Sequence, residues 1–577
     1  MTRMLSAFFL LLCGPYALAA RAAGEPDPPL PAPQAILAEA VRPNDGPLGR
    51  PLPLACHWNT GSYPPQDTFD PSYQIGLIQQ GHHLLPFLSM PDPHMPAEKK
   101  LPAEYYGDAI KRIAAWKLPI SLLATQWECE LTYDKAYFGL PADKNPNVVG
   151  LDGKIRPEVD PLGPVGPWRE VGRRWTASPA MRQLEQLYPE PSLVLFVSNN
   201  EHSKLAWPQA EESRRYLDRY GKGRAAALKR QVFAEGWIER YRALLAGMRD
   251  GLASPAWKQG ARFIGYEAFG PPHFARWGGW REYSSCVPGR IDWSPLVWDG
   301  GTPSYYVHNW NGSTDYAVWS PQIESMNWVF MQEQARKLNP QFWFEISTWD
   351  GNESSQANDK RKFYAKKGQT YGPDRYGGMV RFGMWLLRPR AVREFRGWTE
   401  LRSLQGPYFL AIVAAVDEVY ADSTLRRFWR QGRLLPNRQH AHPYQVDVPP
   451  EYKDADRWFL LDTNLDPPRP WKPDTELAVF ALALVLGDAP EREWLVYAHA
   501  PLGMKRGVEV TLPDYRSIKI DVSVAGVFYH VLEKTGAVTQ CNLATLFLAP
   551  AHTTRIVNLP SEIVLWPRDA AAQSFAP

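Results

Sequence analysis

The chain has 577 residues, of which 45% are hydrophobic and 22% are charged, which is enough for a large domain with a smaller partner. Its 64 basic and 61 acidic residues leave a formal net charge of +3, so charge gives no reason to expect nucleic acid or a membrane surface as a partner. Aromatic residues are abundant, with 24 Trp, 26 Tyr and 23 Phe. Most are expected in the core, and some in a cleft.

The N-terminus has the features of a secretory signal peptide over residues 1–22. Arg3 supplies positive charge, residues 5–13 are apolar but too few to span a bilayer, and Ala17-Leu18-Ala19 offers a cleavage site of small residues. Residues 23–50, which include the run PDPPLPAP, are expected to form an extended spacer. We therefore expect a secreted or periplasmic protein that is not inserted in a membrane.

The cysteines give little support to a metal or lipid site. Cys13 lies in the leader, and Leu12 stands where a lipid-anchoring signal would have a small residue, so lipid anchoring is disfavoured. Four widely spaced cysteines follow without a CxxC pair: Cys56, Cys129, Cys286 and Cys541. A metal site is not expected from them, whereas one disulfide and buried free thiols both remain open.

Eight short apolar runs, with amphipathic helical patterns between several of them, begin near residue 51. They lie at 52–57, 83–89, 120–126, 193–198, 263–267, 304–309, 342–346 and 379–386. Continuous apolar runs are typical of parallel strands that are buried on both faces. Eight strands alternating with helices predict an α/β fold, a (β/α)8 TIM barrel over residues 51–435.

The pattern changes after residue 435. Residues 436–456 contain Pro and His and are expected to be a linker. Short β-rich runs separated by turn residues follow at 458–461, 477–486, 494–498, 508–512, 518–524 and 527–532. They predict a C-terminal antiparallel β-sandwich domain over residues 457–568.

Two acidic residues stand out at the predicted strand ends. Glu201 follows the apolar run LVLFV and three polar residues, and Glu345 lies between aromatic residues in FWFEISTWDG. A carboxylate in so apolar a strand is costly to bury without a purpose. In a barrel, the carboxyl ends of the strands meet at one face, so the two acids are expected in one pocket. Glu128 after the third run and Glu267 after the fifth fit the same rule less well.

This arrangement resembles the clan A glycoside hydrolases, a superfamily of retaining (β/α)8 enzymes. These enzymes have an Asn-Glu dipeptide after strand four and a nucleophilic Glu at strand seven. Asn200-Glu201 matches the dipeptide, and Glu345 matches the nucleophile by strand count. Trp385 in the eighth run matches an aromatic platform, and His308 matches a His-x-Tyr motif in which this chain has Trp310 instead of Tyr. The Arg that many members carry on strand two is absent from LPFLSMPDP.

The resemblance implies a secreted retaining glycosidase that cleaves a poly- or oligosaccharide. Glu201 would act as acid/base, Glu345 as nucleophile, and Asn200 would bind the sugar 2-hydroxyl. No cofactor is implied, and no catalytic metal is expected because the histidines show no ligand spacing with carboxylates. Two alternatives remain open: a non-catalytic carbohydrate-binding barrel, and an enzyme in which Glu267 or Glu128 takes one role.

Further residues near the predicted strand ends are candidates for contacts with a carbohydrate substrate. Their alternative role is packing at the rim of the barrel. They are His57, Trp58 and Asn59 after the first run, Trp127 and Glu128 after the third, His202 beside the acid/base, and Trp349 after the seventh. A basic loop containing Lys360, Arg361, Lys362, Lys366 and Lys367 would favour an anionic glycan, although a solvated surface loop has the same composition.

Overall fold

A computed structural model of the chain describes residues 50–57, 82–94, 108–124, 127–198, 205–265, 296–306, 335–349, 364–394, 402–435 and 479–541, and also residues 325, 328, 329 and 332. The predicted leader and linker, and most of the spacer, lie outside these residues. So do eight candidate site residues: Trp58, Asn59, Asn200, Glu201, His202, Glu267, His308 and Trp310. Of His57 only the backbone is described.

The first part of the described chain contains eleven strands. They are β1 (Arg50–His57), β2 (His82–Ser89), β3 (Ile120–Ala124), β4 (Asn147–Val149), β5 (Ile155–Val159), β6 (Val194–Ser198), β7 (Ala261–Gly265), β8 (Gly300–Gly301), β9 (Ser304–Tyr306), β10 (Trp343–Trp349) and β11 (Ala391–Glu394). β4 and β5 pair with each other as an antiparallel hairpin. The other nine form one sheet.

The nine-stranded sheet is parallel and curled. Its order is β11-β1-β2-β3-β6-β7-β8-β10-β9, and β11 also pairs with β10. Val392 of β11 lies opposite Leu54 of β1 on one side and Ile346 of β10 on the other, so late strands return beside the first one. β3 and β6 are buried along their whole length, as expected of parallel strands covered on both faces.

Eleven described helices accompany the sheet. They are α1 (Asp108–Ala115), α2 (Glu130–Tyr133), α3 (Lys135–Phe138), α4 (Gly166–Ala177), α5 (Pro179–Leu187), α6 (Arg214–Tyr220), α7 (Ala226–Gly251), α8 (Pro255–Gly260), α9 (Pro373–Leu387), α10 (Arg402–Ala421) and α11 (Ser423–Gln431). Ser178, Ser213, Ser254 and Asp422 cap α5, α6, α8 and α11 by accepting a backbone N–H bond. None of the helices in the described ranges is long and apolar enough to cross a bilayer.

The prediction of the eighth strand was wrong. Residues 379–386 belong to helix α9. The next strand after β10 in the sequence is β11, with the residues AVRE. Every residue from Tyr376 to Leu387 in α9 is buried, so its apolar residues are continuous rather than periodic. Periodicity cannot distinguish such a buried helix from a buried strand.

Helices α4 and α7 are in close backbone contact because glycines face each other between them. A Cβ atom on Gly172 of α4 would lie 1.9 Å from the carbonyl oxygen of Leu244, and one on Gly247 of α7 would lie 2.0 Å from that of Arg169. Trp237, Tyr241, Leu244 and Met248 form a buried stripe along α7. Helix α7 lies between β6 and β7, where an amphipathic helical pattern was expected.

The C-terminal part is antiparallel. Its strands are β12 (Arg433–Leu434), β13 (Phe480–Leu486), β14 (Glu493–His499), β15 (Lys505–Thr511), β16 (Ser517–Val522), β17 (Val527–Leu532) and β18 (Ala537–Gln540). β12, β13, β14, β17 and β18 form a five-stranded sheet, and β15 and β16 form a separate hairpin. Residues of both sheets share one apolar cluster, which includes Val496 and Ile520. The five predicted runs that fall within the described residues are confirmed as strands.

Helix α9 packs against the five-stranded antiparallel sheet. The Tyr497 hydroxyl donates to the carbonyl oxygen of Gly378 at 2.6 Å, and the Trp385 ring meets Phe528 edge-on at 5.1 Å. Arg381 of α9 forms an ion pair with Glu418 of α10 and donates to a backbone oxygen after β16. The mixed α/β part and the antiparallel part therefore share a core.

Candidate functional site

The inner face of the curled sheet carries an apolar cluster that contains a buried carboxylate. Leu85, Phe87, Leu195 and Trp343 belong to this cluster, which is separate from the larger core beneath the helices. Because side chains alternate along a strand, Glu345 projects from the same face of β10 as Trp343. The acid predicted to matter therefore lies inside the sheet and not against the helices.

Glu345 is fully buried, and both of its carboxylate oxygens accept hydrogen bonds. Arg393 Nε donates to Oε1 at 2.6 Å, and the indole Nε1 of Trp343 donates to Oε2 at 3.1 Å. A buried carboxylate without partners would be strongly destabilising, and a charge-assisted hydrogen bond from Arg is among the strongest remedies. The two donors fix the orientation of the carboxylate.

Arg393 connects Glu345 to two further strands. Its Nη2 donates to the Ser121 hydroxyl of β3 at 3.1 Å, and its guanidinium lies over the Phe87 ring of β2 at 5.2 Å. Its Nη1 atom is buried and has no hydrogen-bond partner in the part of the chain that the structure describes. Arg393 is 1% exposed. One donor of this guanidinium is thus available to a further acceptor inside the sheet.

Arg393 was not predicted from the sequence, because the resemblance to clan A enzymes implies an Arg on strand two. The Arg comes instead from β11, where it lies opposite Ala55 of β1 and Ser347 of β10. The available signal was the short run AVRE, in which an Arg follows two apolar residues shortly after a buried helix. An Arg in a strand whose neighbours are apolar needs a buried anion as its partner.

Glu345 lies deeper than the strand end at which it was predicted. It is the third of seven residues of β10, and Ser347 and Trp349 follow it on the same face. Trp349 is the last residue of the strand and is 3% exposed. The predicted cleft residue Trp349 and the predicted nucleophile therefore share a face, about 13 Å apart along the strand.

Strand β6 leads directly to the predicted acid/base segment. Ser198 is its last residue, and the buried Ser198 hydroxyl has no hydrogen-bond partner within the described ranges. Asn200, Glu201 and His202 follow it after one intervening residue, Asn199, but lie outside the described residues. The structure therefore describes one member of the predicted catalytic pair.

Trp127 and Glu128, two of the candidates for substrate contact, pack inside the fold. Both are fully buried. Glu128 Oε1 accepts a hydrogen bond from the Tyr241 hydroxyl of α7 at 2.9 Å, and Trp127 packs near Trp298 with ring centroids 6.1 Å apart. Their segment forms a 3-10 helical turn after β3 that is covered by α7, which removes it from solvent.

Trp385 is not a platform at the end of a strand. It is fully buried in α9, and its ring meets Trp429 and Phe528 edge-on, each at 5.1 Å between centroids. These partners belong to α11 and to β17. Trp385 therefore contributes to the core that joins α9 to the antiparallel sheet.

A second polar cluster, which was not predicted from the sequence, lies after β2 and β3. His94 Nε2 is 3.6 Å from Glu130 Oε1, and Arg174 contacts both Glu130 and Asp134. Burial raises the pKa of Glu130, and Arg174 opposes that shift. The backbone N–H of Ala136 lowers the pKa of Asp134. Among the described residues, His94, Glu130 and Asp134 are the one group spaced to hold a metal ion.

Cys541, at the end of the described antiparallel part, is a free thiol. Burial raises the pKa of Cys541 to about 11, so its thiolate is scarce at neutral pH.

Comparison of the sequence with protein-family models and with curated proteins found no match.

Proposed function

We propose that the protein is an exported retaining glycoside hydrolase in which Glu345 is the nucleophile and Glu201 the acid/base. The observation that carries the proposal is the carboxylate of Glu345, held inside a parallel sheet by Arg393 and Trp343. A nucleophilic carboxylate has to be ionised and fixed in direction, and a charge-assisted bond from Arg favours both.

The strand pairings support a (β/α)8 barrel as the scaffold. β11 pairs with both β10 and β1, and consecutive parallel strands neighbour each other from β1 to β7 once the β4–β5 hairpin is set aside. With β8 and β9 counted as one interrupted strand, β6 is the fourth and β10 the seventh. The sequence segments carrying Glu201 and Glu345 would then hold the two positions that clan A enzymes use.

The chemistry of the proposal is a double displacement. Glu345 would attack the anomeric carbon while Glu201 donates a proton to the leaving oxygen, and Glu201 would then deprotonate the water that releases the sugar. Such a pair works with its carboxyl groups about 5–5.5 Å apart. The substrate class is a poly- or oligosaccharide, and the exposed Lys366 and Lys367 favour an anionic one.

A non-catalytic carbohydrate-binding protein is the second candidate, and one observation favours it. Glu345 is completely buried, and both of its oxygens are already hydrogen-bonded. The Glu345–Arg393 pair would then serve only to hold the sheet together.

Screening against a panel of neutral and anionic polysaccharides separates the two candidates. The glycosidase proposal predicts release of reducing sugar from at least one member, and its loss in Glu201→Gln. Binding of a polysaccharide without reducing-sugar release, or release that persists in Glu201→Gln, would reject the assignment.

A further inference from the structure

A polar cluster after β2 and β3 contains three potential metal ligands. His94 lies in the loop after β2, Glu130 opens α2, and Asp134 stands between α2 and α3. One ligand atom from each of the three lies within 4.8 Å of the others. A cation with bonds of about 2.0–2.2 Å to His nitrogen and carboxylate oxygen needs only a small contraction of this spacing.

One oxygen of the Glu130 carboxylate has no hydrogen-bond donor among the described residues. The Glu130 side chain is 8% exposed, and this oxygen, Oε1, is buried. The other oxygen, Oε2, contacts Arg174. A buried acceptor without a partner costs free energy unless a ligand supplies one. Oε1 faces His94 Nε2 at 3.6 Å, beyond hydrogen-bond distance but close enough for both atoms to meet one ion.

Arg174 and the backbone hold the two carboxylates in place. Arg174 Nη2 contacts Glu130 Oε2 and lies 3.2 Å from Asp134 Oδ2, while its guanidinium lies over the Tyr137 ring at 5.1 Å. Asp134 Oδ1 accepts from the Ala136 N–H at 2.8 Å. Outer partners of this kind orient metal ligands in known sites. The two carboxylates outnumber the single guanidinium, so the cluster attracts a cation.

We propose that His94, Glu130 and Asp134 bind a divalent transition-metal ion, with Zn²⁺ as the first choice. One imidazole nitrogen and two carboxylate oxygens form a ligand set that suits Zn²⁺, with water completing the coordination. The His94 side chain is 51% exposed, so the ion enters from solvent. The bound ion would tie the loop after β2 to the helical segment after β3.

Titration calorimetry on the chelator-treated full chain tests the site with Zn²⁺ alone. One equivalent is expected to bind to the wild-type protein. His94→Ala is expected to weaken binding at least about tenfold. The His94 side chain is half exposed, so this change leaves the core intact. Asp143→Ala alters an exposed carboxylate in the same region and is the matched control, with unchanged binding expected.

A second readout comes from Co²⁺ in place of Zn²⁺. The wild-type protein is expected to develop a visible absorption band with one equivalent of Co²⁺, and both His94→Ala and Asp134→Asn are expected to lose it. Absence of stoichiometric binding, or binding that His94→Ala and Asp134→Asn leave unchanged, would overturn the proposal and reduce the cluster to an ion-pair network.

Discussion

The guanidinium of Arg393 bonds the carboxylate of Glu345 inside the curled sheet, with Arg393 Nε 2.6 Å from Glu345 Oε1. The two residues lie on neighbouring parallel strands and are 1% and 0% exposed. Charges so far from water interact strongly, and burying either charge without the other would strongly destabilise the fold. This pair is the basis of the functional proposal.

Removing one member of the pair is expected to destabilise the fold. Arg393→Met leaves the Glu345 carboxylate buried without its cation, at a cost of about 3–5 kcal/mol in the free energy of unfolding. Denaturant unfolding monitored by tryptophan fluorescence measures this. Arg169→Met is the control, because Arg169 pairs with Asp250 at the surface and such pairs contribute about 0–1 kcal/mol. Equal losses of unfolding free energy in the two variants would show that breaking the buried Glu345–Arg393 pair is no more destabilising than breaking a surface pair.

The indole of Trp343 is expected to matter for turnover. Trp343→Phe keeps an aromatic ring but removes the donor to Glu345 Oε2, and a hydrogen bond to a charged group contributes about 1.5–3 kcal/mol. Because the carboxylate would lose its fixed direction, kcat/KM is expected to fall about tenfold or more on the substrate found by screening.

Trp257→Phe is the matched control for this prediction. It also removes an indole hydrogen bond, from Nε1 to the Tyr188 carbonyl oxygen at 2.7 Å, but in helix α8 on the outer side of the sheet. Its kcat/KM is expected to stay near wild type. A similar fall in both variants would mean that the Trp343 effect is structural.

Trp385 is expected to affect stability rather than substrate binding. Trp385→Ala opens a cavity between α11 and β17, and truncation of a buried Trp typically costs about 3–5 kcal/mol. The milder Trp385→Phe is expected to keep KM unchanged. Thermal unfolding and steady-state kinetics measure the two effects. A raised KM with unaltered stability would restore Trp385 as a substrate platform.

His499 is expected to make the protein sensitive to acid. Burial lowers its pKa to about 3, and the positive charges of Arg381 and Arg375 add to this shift. The unfolded chain therefore takes up a proton on His499 as the pH falls below about 6.5, whereas the folded protein does not until about pH 3. The contribution of His499 to the free energy of unfolding is complete above about pH 6.5. It decreases between about pH 6.5 and pH 3, by up to about 1.4 kcal/mol per pH unit.

Unfolding free energies of the wild type and His499→Gln between pH 7 and pH 4 test that prediction. The variant is expected to show the shallower dependence on pH, because the carboxylates contribute equally to both proteins. Identical slopes would mean that His499 does not remain neutral in the folded state.

The sequence predicted much of the sheet because parallel strands buried on both faces are apolar throughout. β3 and β6 are of this kind, and both fell where the apolar runs lay. β11 was missed because two of its four residues are charged, and α9 was mistaken for a strand because it is buried on every side. An apolar composition indicates that a segment is buried, but burial alone does not determine whether its backbone is a strand or a helix.

The candidate site was predicted less completely than the sheet. Glu345 was found because an acid in an aromatic strand is conspicuous, but its partner Arg393 depends on the register between β10 and β11, which no local pattern reveals. The His94–Glu130–Asp134 cluster was missed for the same reason, since His94 lies 36 residues before Glu130 in the sequence. Contacts between segments that are distant in the sequence can be identified only once the fold is known.

The turnover of Glu345→Gln tests the central claim most directly. Glu345→Asp serves beside it, because Asp keeps a negative charge for Arg393 while withdrawing the carboxylate by one methylene. On a substrate that the wild type cleaves, we expect both folded variants to lose turnover, Glu345→Gln by at least about a thousandfold. Full activity in a folded Glu345→Gln would contradict the assignment and make Glu267 the leading candidate for the nucleophile.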